Sequence, residues 1–188
     1  MPFKQSPKIY DEAMLYEYAV GALSRKMRTI AELKRLMRQK VRQQGQVGQL
    51  LVEVVIAKLK QQKYLNDTTY AENYSRFRRE NEKFGRIRVV QDLKAKGVHG
   101  NIIDKMVNAA YQDVNEEQLA REYLERKRIA KPATQPAAAK VFRSLLRAGF
   151  TSRVIFRILK TWDVDEETIT ALQSEAVETP ESNQESSS

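Results

Sequence analysis

The chain has no cysteine among its 188 residues, so disulfides, thiolate catalysis and cysteine-bound zinc are all excluded. Its one histidine, His99, sits between Gly97 and Gly100, where a helix start explains it better than proton transfer does. Proline occurs only at positions 2, 7, 132, 136 and 180, which leaves 8–131 without a helix breaker. The longest apolar run, LLVEVVIA at 50–57, is interrupted by Glu53 and is too short to span a bilayer. The N-terminal MPFKQSPKIYDEAM has no apolar stretch that could serve as a secretion signal. Neither GxxxxGK[ST] nor GxGxxG occurs, and Asp11, Glu12, Asp67 and Asp104 are scattered at helix ends, where capping and dipole interactions account for them. The expectation is a soluble cytoplasmic protein with no membrane segment, no cofactor, no metal and no catalytic constellation.

One absence is local. Residues 163–188 hold eight acidic residues and no basic one, so the remaining chain sets 33 basic groups against 16 acidic, a net of +17 where the whole carries +9. A body so charged attracts a polyanion, and nucleic acid is the commonest in a cytosol.

Apolar residues recur at intervals of three and four, and no β-branched run alternates with period two, so the chain reads as almost wholly helical. Start and stop signals mark helices over 11–26, 29–42, 49–63, 67–82, 86–96, 100–112, 115–130, 136–148 and 151–161. Thr29 and Glu32 have capping-box spacing, as do Thr69 and Glu72, where Asn66 or Asp67 would serve equally as N-cap. Gly97 and Gly149 stand where a helix ends in the left-handed conformation, and the apolar residue after each turns the chain inward. Pro132 to Pro136 marks an internal hinge. The final ETPESNQESSS has the composition of a disordered tail, with room for a short helix near 165–177 before it.

The helices repeat. Ile30, Leu33, Leu36 and Val41 fall without gaps on Ile87, Val90, Leu93 and Val98, and these fall on Ala139, Phe142, Leu145 and Phe150. Ile102, Ile103, Met106 and Val107 match Val154, Ile155, Ile158 and Leu159, and Val98–Ile103 and Phe150–Ile155 have hydrophobic-staple spacing. Upstream of each copy lies another amphipathic helix, with cores at Leu15/Ala19/Leu23, Tyr70/Ala71/Tyr74/Phe77 and Leu119/Ala120/Tyr123/Leu124. In the first copy Lys40 replaces the stop glycine, and RQQGQVGQL is inserted as a loop. The expected fold class is all-α, a tandem array of three three-helix modules, elongated and open to curvature. Its expected boundaries are a flexible 1–10, modules over 11–63, 64–112 and 113–162, and a largely disordered acidic tail over 163–188.

Basic stripes run along these helices. Arg76, Arg79 and Lys83 repeat at i, i+3 and i+7 with Arg78 beside them, and Arg86, Arg88, Lys94 and Lys96 continue the charge. Arg121, Arg126 and Lys127 follow, then Arg143, Arg147, Arg153 and Arg157, accompanied by Arg128, Lys131 and Lys140. Such groups neutralise phosphates and give position rather than sequence information. Tyr16, Tyr18, Tyr64, Tyr70 and Tyr74 lie mostly at core spacing and read as packing. A general DNA-binding protein of helix-turn-helix type is the alternative on these residues alone.

The segment KYLNDTTYAENYSRFRR at 63–79, followed by FGRIRVVQDLKAKGV at 84–98, resembles the RecX regulatory proteins, bacterial modulators of the RecA recombinase. Tyr64, Leu65, Asn66, Asp67, Tyr70, Ala71, Arg76, Arg78, Gly85, Leu93, Lys96, Gly97 and Val98 meet the family pattern. LYEYAVGALSRKMRTIAELKRLM at 15–37 looks like the family's first unit and FRSLLRAGF at 142–150 like its third. Lys63 stands where glycine is usual and Arg86 where proline is common. The resemblance implies a monomeric, non-catalytic inhibitor of three-helix repeats. Its implied partners are RecA, the RecA–DNA filament and, weakly and without sequence preference, single- and double-stranded DNA. The implied effect is loss of strand exchange, ATP hydrolysis and co-protease activity, and so modulation of DNA repair and the SOS response.

Overall fold

A computed structural model describes residues 8–178. Among these residues there are ten α-helices and no strand, as an all-α chain requires. They are α1 (Glu12–Arg25), α2 (Ile30–Lys40), α3 (Gly45–Gln61), α4 (Asp67–Glu80), α5 (Arg86–Ala95), α6 (Gly100–Tyr111), α7 (Glu116–Arg126), α8 (Gln135–Arg147), α9 (Ser152–Thr161) and α10 (Glu166–Glu178). A 3₁₀ turn, Arg42–Gln44, links α2 to α3. No described helix is long and apolar enough to cross a membrane.

The starts are chemically set. Asp11, Asn115, Thr134 and Thr151 each accept a backbone N–H from the first turn of α1, α7, α8 and α9. Thr29 and Glu32 close the expected capping box on α2. At α4 the choice falls on Asn66, whose Oδ1 accepts from Thr68 and Thr69, while the buried Asp67 accepts the Ile30 N–H at 2.9 Å, the first amide of α2.

Two compact bodies form. The first takes the described residues through Tyr74 and returns for Asp92–Val107. Here α1, α2 and α3 pack on one another around Leu15, Ala19, Leu33, Met37, Val52, Val55 and Leu59. Thr29 Oγ1 donates to the Lys96 carbonyl at 2.6 Å, and the end of α5 approaches so closely that a Cβ on Gly97 would lie 2.5 Å from that of Ala31.

The second body takes Ser75–Gln91 and the described residues from Asn108 on. Its core joins Leu119, Tyr123 and Leu124 of α7, Val141, Phe142 and Leu145 of α8, and Ile155, Ile158 and Leu159 of α9. Phe150 meets Tyr123 edge-on at 6.1 Å. The start of α5 touches the end of α8 in the same way that α2 touches the end of α5. Gly85 N–H donates to the Ala148 carbonyl at 2.8 Å and Ile87 N–H to the Gly149 carbonyl at 3.2 Å. A Cβ on Gly85 would lie 2.3 Å from Gly149 O, so glycine alone permits the joint.

Four expectations are corrected. The inserted RQQGQVGQL is no loop, because Gly45, at φ +55°, starts α3 four residues early and Gly48 lets that helix meet the Val41 backbone. The first repeat is shifted by one residue: Leu33 and Met37 are buried, and the buried partners in the second copy are Val89 and Leu93. Without a stop glycine, α2 reaches Val41 one residue sooner. Phe77 is 53% exposed, its core position taken by Ser75 one turn after Ala71. The short helix expected near 165–177 is present as α10, and it stands in place of a largely disordered tail as far as Glu178. Asp165 accepts the Thr168 N–H at 2.7 Å, and Ile169 and Leu172 are buried on α10, which packs against α8 and α9. Residues 1–7 and 179–188, expected to be flexible and disordered, lie outside the described residues; Tyr10 is held through both its N–H and its carbonyl by Gln44.

Candidate polyanion-binding surface

Of the eighteen basic residues singled out above, Lys94 and Lys96 lie in the first body and the others in the second. Lys96 is not a free charge. Its ammonium lies 3.0 Å from Glu32 and about 5.5 and 5.9 Å from the ring centres of Tyr74 and Tyr70. Burial is the largest single influence and works against charge on both partners. Their mutual hydrogen bond, together with the Thr29 amide on Glu32, Tyr70 beside Lys96 and the attraction of opposite charges, outweighs it, raising Lys96 and lowering Glu32 from their ordinary pKa values. Lys94 is exposed and makes no ion pair among the described residues.

In the second body one set of cations is neutralised internally. Arg79 donates to the Ala110 carbonyl and, at 2.7 Å, to Glu80. Lys83 pairs with Glu122 at 2.8 Å, Arg126 with Glu82 at 3.3 Å, and Arg157 with Glu117 at 2.5 Å. The Lys83 ammonium, helped by Gln118, holds the Glu122 carboxyl below the usual carboxylate range. Arg86 donates to the Asn108 side chain, and the Arg78 and Arg88 guanidinium groups lie 5.3 and 5.9 Å from the Phe84 ring centre. Arg76 is exposed on α4. The 76/79/83 stripe is therefore broken: α4 ends at Glu80, and Lys83 follows it in the left-handed conformation at φ +57°.

A second set makes no ion pair among the described residues. It comprises Arg121 on α7, Lys127 just after it, Arg143 and Arg147 on α8, and Arg153 on α9; all but the half-buried Arg121 are exposed. Lys140, Arg143 and Arg147 repeat at i, i+3 and i+7 on α8, whose other face carries Ala138, Val141, Phe142 and Leu145 into the core. This face is strongly basic and outward, and its cations have no carboxylate partner among the described residues. The same spacing occurs at Arg35, Arg38 and Arg42 in the first body, a signal legible in the sequence but passed over there.

A family model described as RecX, second three-helix domain, matches residues 66–107. The chain is 30% identical over 170 residues to the regulatory protein RecX of Myxococcus xanthus, covering 84% of this chain and 88% of that one. It is 38% identical over 117 residues to the regulatory protein RecX of Cronobacter sakazakii, covering 60% and 67%. Against a longer relative, that of Halalkalibacterium halodurans, the chain spans 51% of the length at 27% identity. The crystal structure of RecX from Lactobacillus salivarius superposes with a TM-score of 0.63 and 25% identity, over 81% of this chain and 96% of that one. A matched second domain, set inside an alignment that takes in most of the Myxococcus protein, places this chain in the RecX family of regulatory proteins.

Proposed function

We propose that this RecX-family regulator works without catalysis, binding RecA and RecA–DNA filaments and inhibiting recombinase, ATPase and co-protease activity. In this reading it modulates DNA repair and the SOS response as a cytoplasmic monomer, with weak, sequence-independent affinity for single- and double-stranded DNA. The observation that carries it is the outward face of α8, where Lys140, Arg143 and Arg147 have no carboxylate partner among the described residues. An exposed charge gains little from internal pairing and stays available to a polymeric anion. Modules over 11–63, 64–112 and 113–162 would offer several such contacts in series, and their sum gives avidity without a deep pocket. The remaining cations of the set, Arg121, Lys127 and Arg153, extend the surface; Arg76, Arg86, Arg88 and Lys94 are further contacts.

The test is RecA's DNA-dependent ATPase. Sub-stoichiometric protein should lower the rate at low salt, and a Lys140→Gln/Arg143→Gln/Arg147→Gln variant should inhibit less. An unchanged rate with excess protein sinks the reading. DNA raised far above the protein relieves inhibition only if competition for DNA is the whole effect, which would favour the general DNA-binding alternative.

A further inference from the structure

The first body has a second basic feature of different form. Arg35, Arg38 and Gln39 from the last turns of α2, Arg42 from the 3₁₀ turn, and Gly45 and Gln49 from the start of α3 line one cleft of about 550 Å³. Gly48 makes the cleft possible, since a Cβ there would lie 2.7 Å from the Val41 carbonyl oxygen and force the two helices apart. None of its lining side chains is acidic. The nearest carboxylate partner, Glu53, is held by Lys34 at 2.6 Å and reaches Arg38 only at 3.4 Å; Arg35 and Arg42 make no ion pair among the described residues. The Lys34 hydrogen bond above all, with the Arg38 charge, keeps the Glu53 carboxyl below its ordinary pKa. Three guanidinium groups around one cleft repel one another, a standing cost that a bound anion would relieve.

We propose that this cleft binds the phosphodiester backbone of nucleic acid, as a site separate from the α8 face and independent of any recombinase. Arginine's planar fork suits a phosphate's paired oxygens, and Gln39 and Gln49 supply neutral amide donors beside it. The cleft has no aromatic side chain on which a base could stack, so recognition stops at the backbone and ignores sequence. From Arg35 to Arg42 the helical rise spans about 10 Å, enough to follow consecutive phosphates of one strand. An acidic peptide offers no such regular line of charge.

The experiment is fluorescence anisotropy of the full chain with a labelled duplex and a single strand of equal length, without RecA. Arg35→Gln/Arg42→Gln should weaken binding to both by about tenfold at about 50 mM salt, and reduce the log–log salt slope by about 1–2. The charge-matched control Lys60→Gln/Lys105→Gln removes two exposed lysines of the same body that make no ion pair among the described residues, and should change the slope less. If the cleft variant leaves the slope intact, or the control lowers it equally, diffuse charge suffices and the site is refuted. If circular dichroism shows the glutamine variant to be destabilised, Arg35→Lys/Arg42→Lys decides instead. Affinity reduced severalfold with the slope kept supports forked contacts, and unchanged affinity overturns them. Inorganic polyphosphate should displace the DNA well before polyglutamate of equal charge; equal displacement by both would refute a phosphate site. Because no recombinase is present, either result leaves the ATPase question open on its own terms.

Discussion

Replacing Gly149 with alanine tests the joint between the start of α5 and the end of α8. The φ of Gly149 is +90°, and a Cβ there would lie 2.2 Å from the Arg88 amide nitrogen and 2.5 Å from Arg88 Cβ. Both obstacles are fixed to the backbone, so no rotamer change relieves them. Left-handed strain costs about 1–2 kcal/mol. Overpacking adds roughly 1–3 kcal/mol, and loss of the Ile87 N–H to Gly149 carbonyl bond about 1 kcal/mol. The expected loss of roughly 3–6 kcal/mol is a large part of a typical stability of about 5–15 kcal/mol. Trp162, the one tryptophan, directly follows α9 in the same body, so its fluorescence in urea reports the loss. Gly21 is the control: it lies inside α1 with nothing within 4 Å of an added Cβ. Gly21→Ala should gain about 0.5–1 kcal/mol, read by far-UV circular dichroism. A Gly149→Ala protein whose Trp162 transition stays within about 0.5 kcal/mol of wild type would refute the joint as described.

Substitutions at three further positions concern the first body. Lys63 ends α3 at φ +62°, so Lys63→Gly should raise the urea midpoint, by roughly 0.5–1 kcal/mol of stability. Asp67→Ala leaves the Ile30 amide without its acceptor and should cost about 1–3 kcal/mol. Asp67→Asn keeps an acceptor, and because burial raises the Asp67 pKa against the Ile30 hydrogen bond, its stability relative to wild type should improve as pH rises through the folded value. For Glu32, Lys96 and the Thr29 amide outweigh burial and put the folded pKa below the ordinary 4.5. The pair's contribution is therefore full above about 4.5 and lost as pH falls through the folded value, and thermal melts of Glu32→Gln should show less of that acid loss.

Much of this architecture is local and so was readable in the residues. The Thr29–Glu32 box, the stops at Gly97 and Gly149 and the apolar faces of α7 and α9 each need only near neighbours, and each is present as expected. What failed depended on partners far along the chain. Arg79 and Lys83 look solvated until α6 supplies the Ala110 carbonyl and α7 supplies Glu122. Phe77 has core spacing from Tyr74, yet the small Ser75 fills the buried position. The Arg35–Arg42 cleft needs the approach of α3 to Val41, which the letters show only as one more glycine. The short helix near 165–177 was legible, whereas the burial of its Ile169 and Leu172 was not.

The meeting of Gly85 with Ala148 and Gly149 also governs how the molecule can be dissected. A truncation in the turn after Tyr111 looks natural from the repeat pattern, but it would leave two carbonyl oxygens of the excised piece facing water and deprive the Gly85 and Ile87 amides of their acceptors. Such a fragment would report the wound at its own edge as much as the role of the helices removed. Deletions that trim the chain from its ends and keep both glycines leave those oxygens covered, and a lost activity can then be traced to the segment taken away.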